Sequence, residues 1–301
     1  MATASDTIRP SVRNTMRGAR LREAGWGYAF VLVPMAVFGL FFIYPFVYAI
    51  YISFYNWGIL GKQSGAGWSN YHAVLSDPIF HTALKNIAEY TTVVPLEMAL
   101  GLSLALLVNQ SFRGRAFFRS AFYFPAIASS AAITFIALYM ASSDGVVNRV
   151  FGSTTPWFTT ASSAIWSVVG LNAWTTSGTV MLFYLAALQS IPTDVYEAAA
   201  VDNAGTWRTF WKITFPLLRP AHFFVLVVFG VGALKLFDQA YLASGGAGGP
   251  NYALYTPVLY IYRAAFHSFT FGVAAAAGTV YFLIIFALTV AERLTVGRDA
   301  E

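Results

Sequence analysis

Glu197-Ala-Ala-Ala-Val-Asp202-Asn203-Ala-Gly205-Thr-Trp207-Arg208-Thr-Phe210-Trp211-Lys212-Ile213-Thr-Phe215-Pro216 is a polar stretch between two apolar ones. Apolar flanks on both sides mean that the chain leaves a membrane here and returns. Pro192 suits the first turn of a short helix, where its missing N–H costs nothing. Asp194 and Glu197 then lie near the positive end of that helix, and Ala198, Ala199 and Ala200 favour its continuation. Asp202-Asn203 reads as a stop, because asparagine tolerates the left-handed conformation better than most side chains. Gly205 and Thr206 restart the chain, with Thr206 expected as N-cap of a second short helix. Trp207, Phe210 and Trp211 share one face of that helix by their i, i+3, i+4 spacing, and Pro216 is expected to end it. A helix–turn–helix with an aromatic face at a membrane surface suits docking of a partner.

Composition agrees with a membrane setting. Of the 301 residues, 57% are hydrophobic and only 10% charged, which does not describe a soluble globule. The chain has no cysteine, so disulfides and thiolate metal sites are excluded. Its net charge of +5 comes from short clusters between apolar runs, which suits anionic membrane lipid and not nucleic acid.

Apolar segments near 27–54, 83–109, 121–141, 162–189, 221–241 and 271–291 can each cover the roughly 20 residues a hydrocarbon core requires. The reading is an all-α polytopic membrane protein with six transmembrane helices. It divides into an N-terminal tail over 1–25, a membrane domain over 26–295 and a C-terminal tail over 296–301. Residues 1–22 read as a flexible or membrane-surface tail, and a cleaved signal peptide is disfavoured because the uncharged stretch after it is too long. The aromatic 252–269 region reads as interfacial or re-entrant. Thirteen Lys and Arg lie in the tails, the 110–120 connection and the central loop, against Lys62, Arg149 and Arg263 in the others. That excess places both termini and the 190–220 loop in the cytoplasm, with the protein multi-pass in the plasma or inner membrane.

The central loop resembles the EAA loop, EAA-x3-G-x9-I-x-L-P, of membrane-spanning subunits in bacterial binding-protein-dependent ABC importers. Glu197-Ala198-Ala199 stands at the EAA, Asn203 at the Gly, and Ile213-Thr-Phe215-Pro216 at the close. Asn203 is the mildest replacement for a glycine of positive φ, and Phe215 keeps an apolar side chain at the Leu position. Trp68-Ser-Asn-Tyr71, Arg119-Ser-Ala-Phe-Tyr-Phe-Pro125 and Leu236-Phe-Asp-Gln-Ala-Tyr241 resemble stretches of carbohydrate permeases of the maltose and glycerol-phosphate type, in the order of the first permease subunit. The resemblance implies a type I importer permease fold and a sugar or polyol-type solute. It further implies a second permease subunit, two cytoplasmic ATPase subunits or domains, and an extracytoplasmic solute-binding protein. The ATPase contact would fall on Glu197, Ala198, Ala199, Asp202, Asn203, Gly205, Trp207, Phe210 and Trp211.

No G-x-x-x-x-G-K-[ST] occurs, so ATP and Mg would be held by the partner subunits and no cofactor by this chain. The four histidines have no metal-ligand spacing, and no catalytic constellation is present, so the chain is not read as an enzyme. Charged residues inside spans are costly and therefore informative. Glu97 either faces a solute path or is hydrogen-bonded within the bundle. Lys85 with Glu89, and Lys235 with Asp238, have the spacing of structural pairs. Asn172, Trp174, Thr175 and Thr176 form a polar-aromatic cluster in the fourth apolar run. Hydrogen-bonding groups beside aromatic rings suit sugars, so Glu97, Asn172, Trp174, Thr175 and Asp238 are the candidate solute contacts. An ion-coupled secondary transporter using Glu97 is the alternative.

Overall fold

The computed structural model describes the backbone of residues 9–295 and the side chains of residues 23–294. The outermost tails, 1–8 and 296–301, lie outside the described residues. Two compact units are present, Met1–Ile52 and Ser53–Glu301, so the membrane segment expected over 26–295 falls in both.

In the first unit, helix runs from Arg9 to Phe38, through most of the stretch expected as a flexible or membrane-surface tail. Pro10 fits a first helical turn, and no further breaker follows before Pro34. A π-turn at Gly39–Ile43 leads into Tyr44–Ser53. The apolar window of this helix has no buried residue, and Phe38 stacks on Phe42 and Tyr44 on Tyr48 along it.

The second unit opens with an antiparallel hairpin, Tyr55–Gly58 with Gly61–Gly65, inside an otherwise helical fold. Four stretches of the described residues are long and apolar enough to cross a membrane: Glu23–Ser53, Pro78–Asn109, Arg219–Ala243 and Phe271–Leu294. The run expected as one span near 121–141 is a broken pair, Arg115–Ile127 and Ser130–Met140, bent by 94°. Ala128 and Ser129 adopt extended backbone at the bend (ψ 152° and 128°), just after Pro125, which supplies no N–H to the helix. Ala164–Gln189 is continuous over 26 residues, about 39 Å at 1.5 Å per residue, but polar groups at its centre dilute its apolar character. The 252–269 region forms the helix Pro257–Phe266, with Thr256 as N-cap accepting from Leu259 N–H, packed against Phe271–Thr295.

The core sits where Val93–Asn109 packs along Ala164–Gln189. Gly101 lets the two approach: a Cβ there would run into Val180. Gly178, on the far side of the second helix, meets the carbonyl of Phe122 equally closely. Val168, Val180, Met181 and Tyr184 are completely buried at these contacts. Lys85 and Glu89 form the expected pair, 3.6 Å apart.

Candidate coupling loop and solute cavity

The loop folds as two short helices about a left-handed turn. The first, Thr193–Val201, starts one residue later than expected: Pro192 is its N-cap and Asp194 lies in its first turn. Asn203 has φ +54°. Asn203 N–H donates to the Ala200 carbonyl (3.1 Å) and Ala204 N–H to that of Ala199 (2.9 Å), which is the Schellman pattern of a helix end. No hydrogen bond is made by the Asn203 side chain, so its backbone conformation is what the turn uses. The second helix starts at Thr206, with Gly205 as the cap residue. Thr206 therefore does not cap it, and Thr209 Oγ1 donates back to the Gly205 carbonyl (3.2 Å).

Pro216 does not end this helix. The chain widens into a π-turn at Phe210–Thr214, continues through Phe215–Leu217 and breaks at Leu218. A proline removes one i→i−4 bond and crowds the preceding turn, and the wider turn absorbs both effects. Trp207, Phe210 and Trp211 do meet on one face, with ring centroids 5.0–6.4 Å apart. Glu197, Ala198, Asp202, Asn203 and Gly205 are exposed, while Ala199 is buried. Tyr196 OH and Thr214 Oγ1, 3.3 Å apart, tie the two helices together.

The second site is assembled from four separate stretches. Glu97, Asn172, Thr176, Asp238 and Gln239 line a cavity of about 280 Å³, together with Tyr90. A neighbouring cavity of about 210 Å³ is lined by Ser130, Thr134, Asn172, Thr175, Thr176 and Gln239. Gln239 stands between them, its Nε2 donating to Asn172 Oδ1 (3.1 Å) and Ser130 Oγ (3.0 Å). Asn172 Nδ2 is buried without a hydrogen-bond partner. A buried donor left unpaired costs about 1–3 kcal/mol, and a ligand acceptor would relieve that cost.

The cavity exists because the fifth apolar run breaks. Helix stops at Leu234 and restarts at Asp238. Tyr281 OH donates to the freed Leu234 carbonyl and Thr256 Oγ1 to that of Leu236 (2.9 Å). Irregular backbone at membrane depth survives where such partners exist, and it commonly marks ligand sites. The break also separates Lys235 from Asp238, which form no ion pair; both line the cavity. Glu97 is buried against the same cavity. Trp174, 57% exposed, lines neither cavity, since two residues along a helix turn it away from Asn172. Sequence reasoning missed Gln239 and Ser130. The signal for Gln239 was present: Lys235, Asp238 and Gln239 interrupt an apolar run within five residues.

The chain is 33% identical over 276 residues to the lactose transport system permease protein LacF of Rhizobium radiobacter, spanning 88% of this chain and 90% of that protein. It is 31% identical over 270 residues to the multiple sugar-binding transport system permease protein MsmF of Streptococcus mutans, spanning 86% and 91%. Its fold matches a chain in the crystal structure of a bacterial ABC transporter involved in import of the acidic polysaccharide alginate, with TM-score 0.79 at 21% identity, covering 95% of this chain and 100% of that one. Residues 97–297 match the family model of the binding-protein-dependent transport system inner membrane component. The chain belongs to that family and is an ABC importer permease subunit, itself without the ATPase.

Proposed function

We propose that this permease carries a neutral or polyol-type saccharide along a path through the cavity around Asn172, and that the helices over 193–217 couple it to a cytoplasmic ATPase. The observation that carries the coupling role is the exposure of large apolar side chains on the loop: Val201 is 86% and Trp207 75% exposed, on a segment too polar to sit in lipid. Glu197, Ala198, Asp202, Asn203, Gly205, Phe210 and Trp211 complete that docking surface, and buried Ala199 supports it from beneath through its bond from Ala204 N–H. The saccharide reading rests on the sugar permeases among the relatives and on hydroxyl-matching amides and hydroxyls at Asn172, Thr175, Thr176 and Gln239, with Glu97 and Asp238 in the same lining.

The remaining assembly follows from the same reading: a second permease subunit, two ATPase subunits that hold ATP and Mg, and an extracytoplasmic solute-binding protein. Both termini and the coupling loop face the cytoplasm, by the Lys and Arg excess on that side. The chain lacks native cysteine, so single cysteines at Gly65 or Thr155 should react with an impermeant maleimide added outside intact cells. Reaction only after permeabilisation would reverse the orientation and remove the ATPase contact from the loop.

A further inference from the structure

We infer that His222 is the latch that fixes the coupling helix to the membrane spans, so that a push on the loop reaches the cavity-lining helix. The inference rests on the coupling role proposed for the loop and adds the residue through which it acts.

His222 lies in the first turns of the helix Arg219–Leu234, directly after the break at Leu218. Its Nε2 is 3.2 Å from the carbonyl of Phe215, in the last turn of the coupling helix. Its Nδ1 is 2.9 Å from the hydroxyl of Tyr184. Tyr184 is completely buried on Ala164–Gln189, the helix that carries Asn172 three turns earlier. The Phe215 ring packs on the imidazole with centroids 4.5 Å apart, and the Tyr184 ring meets it edge-on at 5.3 Å. One side chain thus touches the end of the coupling helix, the span after it and the span before it.

The chemistry determines the ring's state. A carbonyl oxygen can only accept, so Nε2 carries the proton. In the neutral ring Nδ1 is then an acceptor, and the Tyr184 hydroxyl donates to it. Both ring nitrogens are satisfied in one tautomer, which also fixes the ring plane. The Phe215 carbonyl needs such a donor: the break at Leu218 leaves it only a long, shared bond from Leu218 N–H (3.3 Å). Leu218 itself is buried, so water is a poor substitute at the break.

Without His222 the break would act as a free hinge, and movement of the loop would dissipate there. With it, Phe215 and Tyr184 move as one body. At the other end of the Tyr184 helix, Gln239 continues the connection by joining Asn172 to Ser130. His222 is a positioning residue; it lines neither cavity.

The test uses the complete importer with its second permease, ATPase and binding protein in liposomes. Two readouts are taken: stimulation of ATP hydrolysis by solute-loaded binding protein, and amide hydrogen exchange over 206–218. His222→Phe keeps the ring packing and removes both hydrogen bonds. It should cut stimulation at least tenfold and speed exchange at least tenfold. His222→Gln, which can both donate and accept, should recover each to within about threefold. Tyr184→Phe should reproduce part of the loss, and the double variant with His222→Phe should be no worse than His222→Phe alone. Unchanged exchange in His222→Phe overturns the latch, as do additive losses or failure of Gln to rescue. Faster exchange with full stimulation would show that the loop's position does not govern coupling, which overturns the reading of the loop itself. If His222→Phe fails to assemble, Tyr184→Phe with normal assembly and unaltered stimulation overturns the latch.

Discussion

The candidate coupling loop and the candidate solute cavity place their side chains in opposite ways. In the loop, Val201 and Trp207 project into solvent on a scaffold of ordinary helix ends, and almost every bond that shapes the turn is between residues fewer than six apart. In the cavity, Glu97 and Asn172 are 4% and 8% exposed, and the decisive bonds, from Gln239 to Ser130 and Asn172, join residues 109 and 67 apart. A surface made from neighbours in sequence keeps its fold when a single position changes. A cavity made from four stretches depends on how closely its walls approach.

The sharpest way to break the comparison is at that approach. A Cβ on Gly178 would overlap the Phe122 carbonyl, which belongs to the backbone and cannot turn aside. Gly178→Val should cost about 3 kcal/mol or more, the upper range for overpacked interiors. The measurement is the yield of monodisperse subunit extracted from the membrane, and it should fall severely. Val201→Ser on the loop should change that yield little, because exposed substitutions usually fall within about 0.5 kcal/mol. Equal losses from the two would show that the loop is as tightly determined as the cavity wall.

Next in size is Glu197→Ala. An exposed carboxylate that forms a charge-assisted contact with the ATPase contributes about 1.5–3 kcal/mol, so the ATPase should bind roughly ten- to a hundredfold more weakly. Solute capture by the binding protein should be intact. Co-purification at unchanged strength would remove Glu197 from the contact. Asn172→Leu makes the matching test inside. It removes both the unpaired donor and the acceptor that Gln239 uses, at a cost of about 1–3 kcal/mol in solute passage. The half-saturation concentration for uptake should rise while ATPase binding holds, and an unaltered uptake curve would take Asn172 off the path.

The two regions also differ in what their residues disclose before folding. The Schellman turn at Asn203 and the shared face of Trp207, Phe210 and Trp211 depend on i+3 and i+4 relations, and these are visible in the chain itself. The misplaced details are local as well: Gly205 caps where Thr206 was expected, and a π-turn lets the helix run on through Pro216. The cavity was only half legible. Glu97, Asn172 and Asp238 stand out because charge and amide groups are rare in apolar runs. Ser130 carries no such signal, since its role comes from the 94° bend that swings its helix toward Gln239. Trp174 was grouped with Asn172 by adjacency, and the helical turn of about 100° per residue separates them.

The smallest expected effect is the most direct test of how the loop is made. Asn203 stands where relatives of this architecture are expected to carry glycine, and its φ of +54° is a conformation that side chains with a Cβ adopt at a cost. Its side chain makes no hydrogen bond, while its N–H and that of Ala204 close the turn on Ala200 and Ala199. If conformation is all the position supplies, Asn203→Gly should be neutral or slightly favourable for ATPase association. Asn203→Val should cost about 1–2 kcal/mol from left-handed strain, roughly five- to thirtyfold. That strain acts between Glu197 on one helix and the Trp207 face on the other, so the two halves of the docking surface would lose their mutual angle before the subunit lost its fold. Protein level should therefore be normal while stimulation of ATP hydrolysis by loaded binding protein declines. Tolerance of Val with damage from Gly would invert the assignment, since only a side-chain contact with the ATPase could produce that order, and the loop would then resemble the cavity in needing a specific group at a specific point.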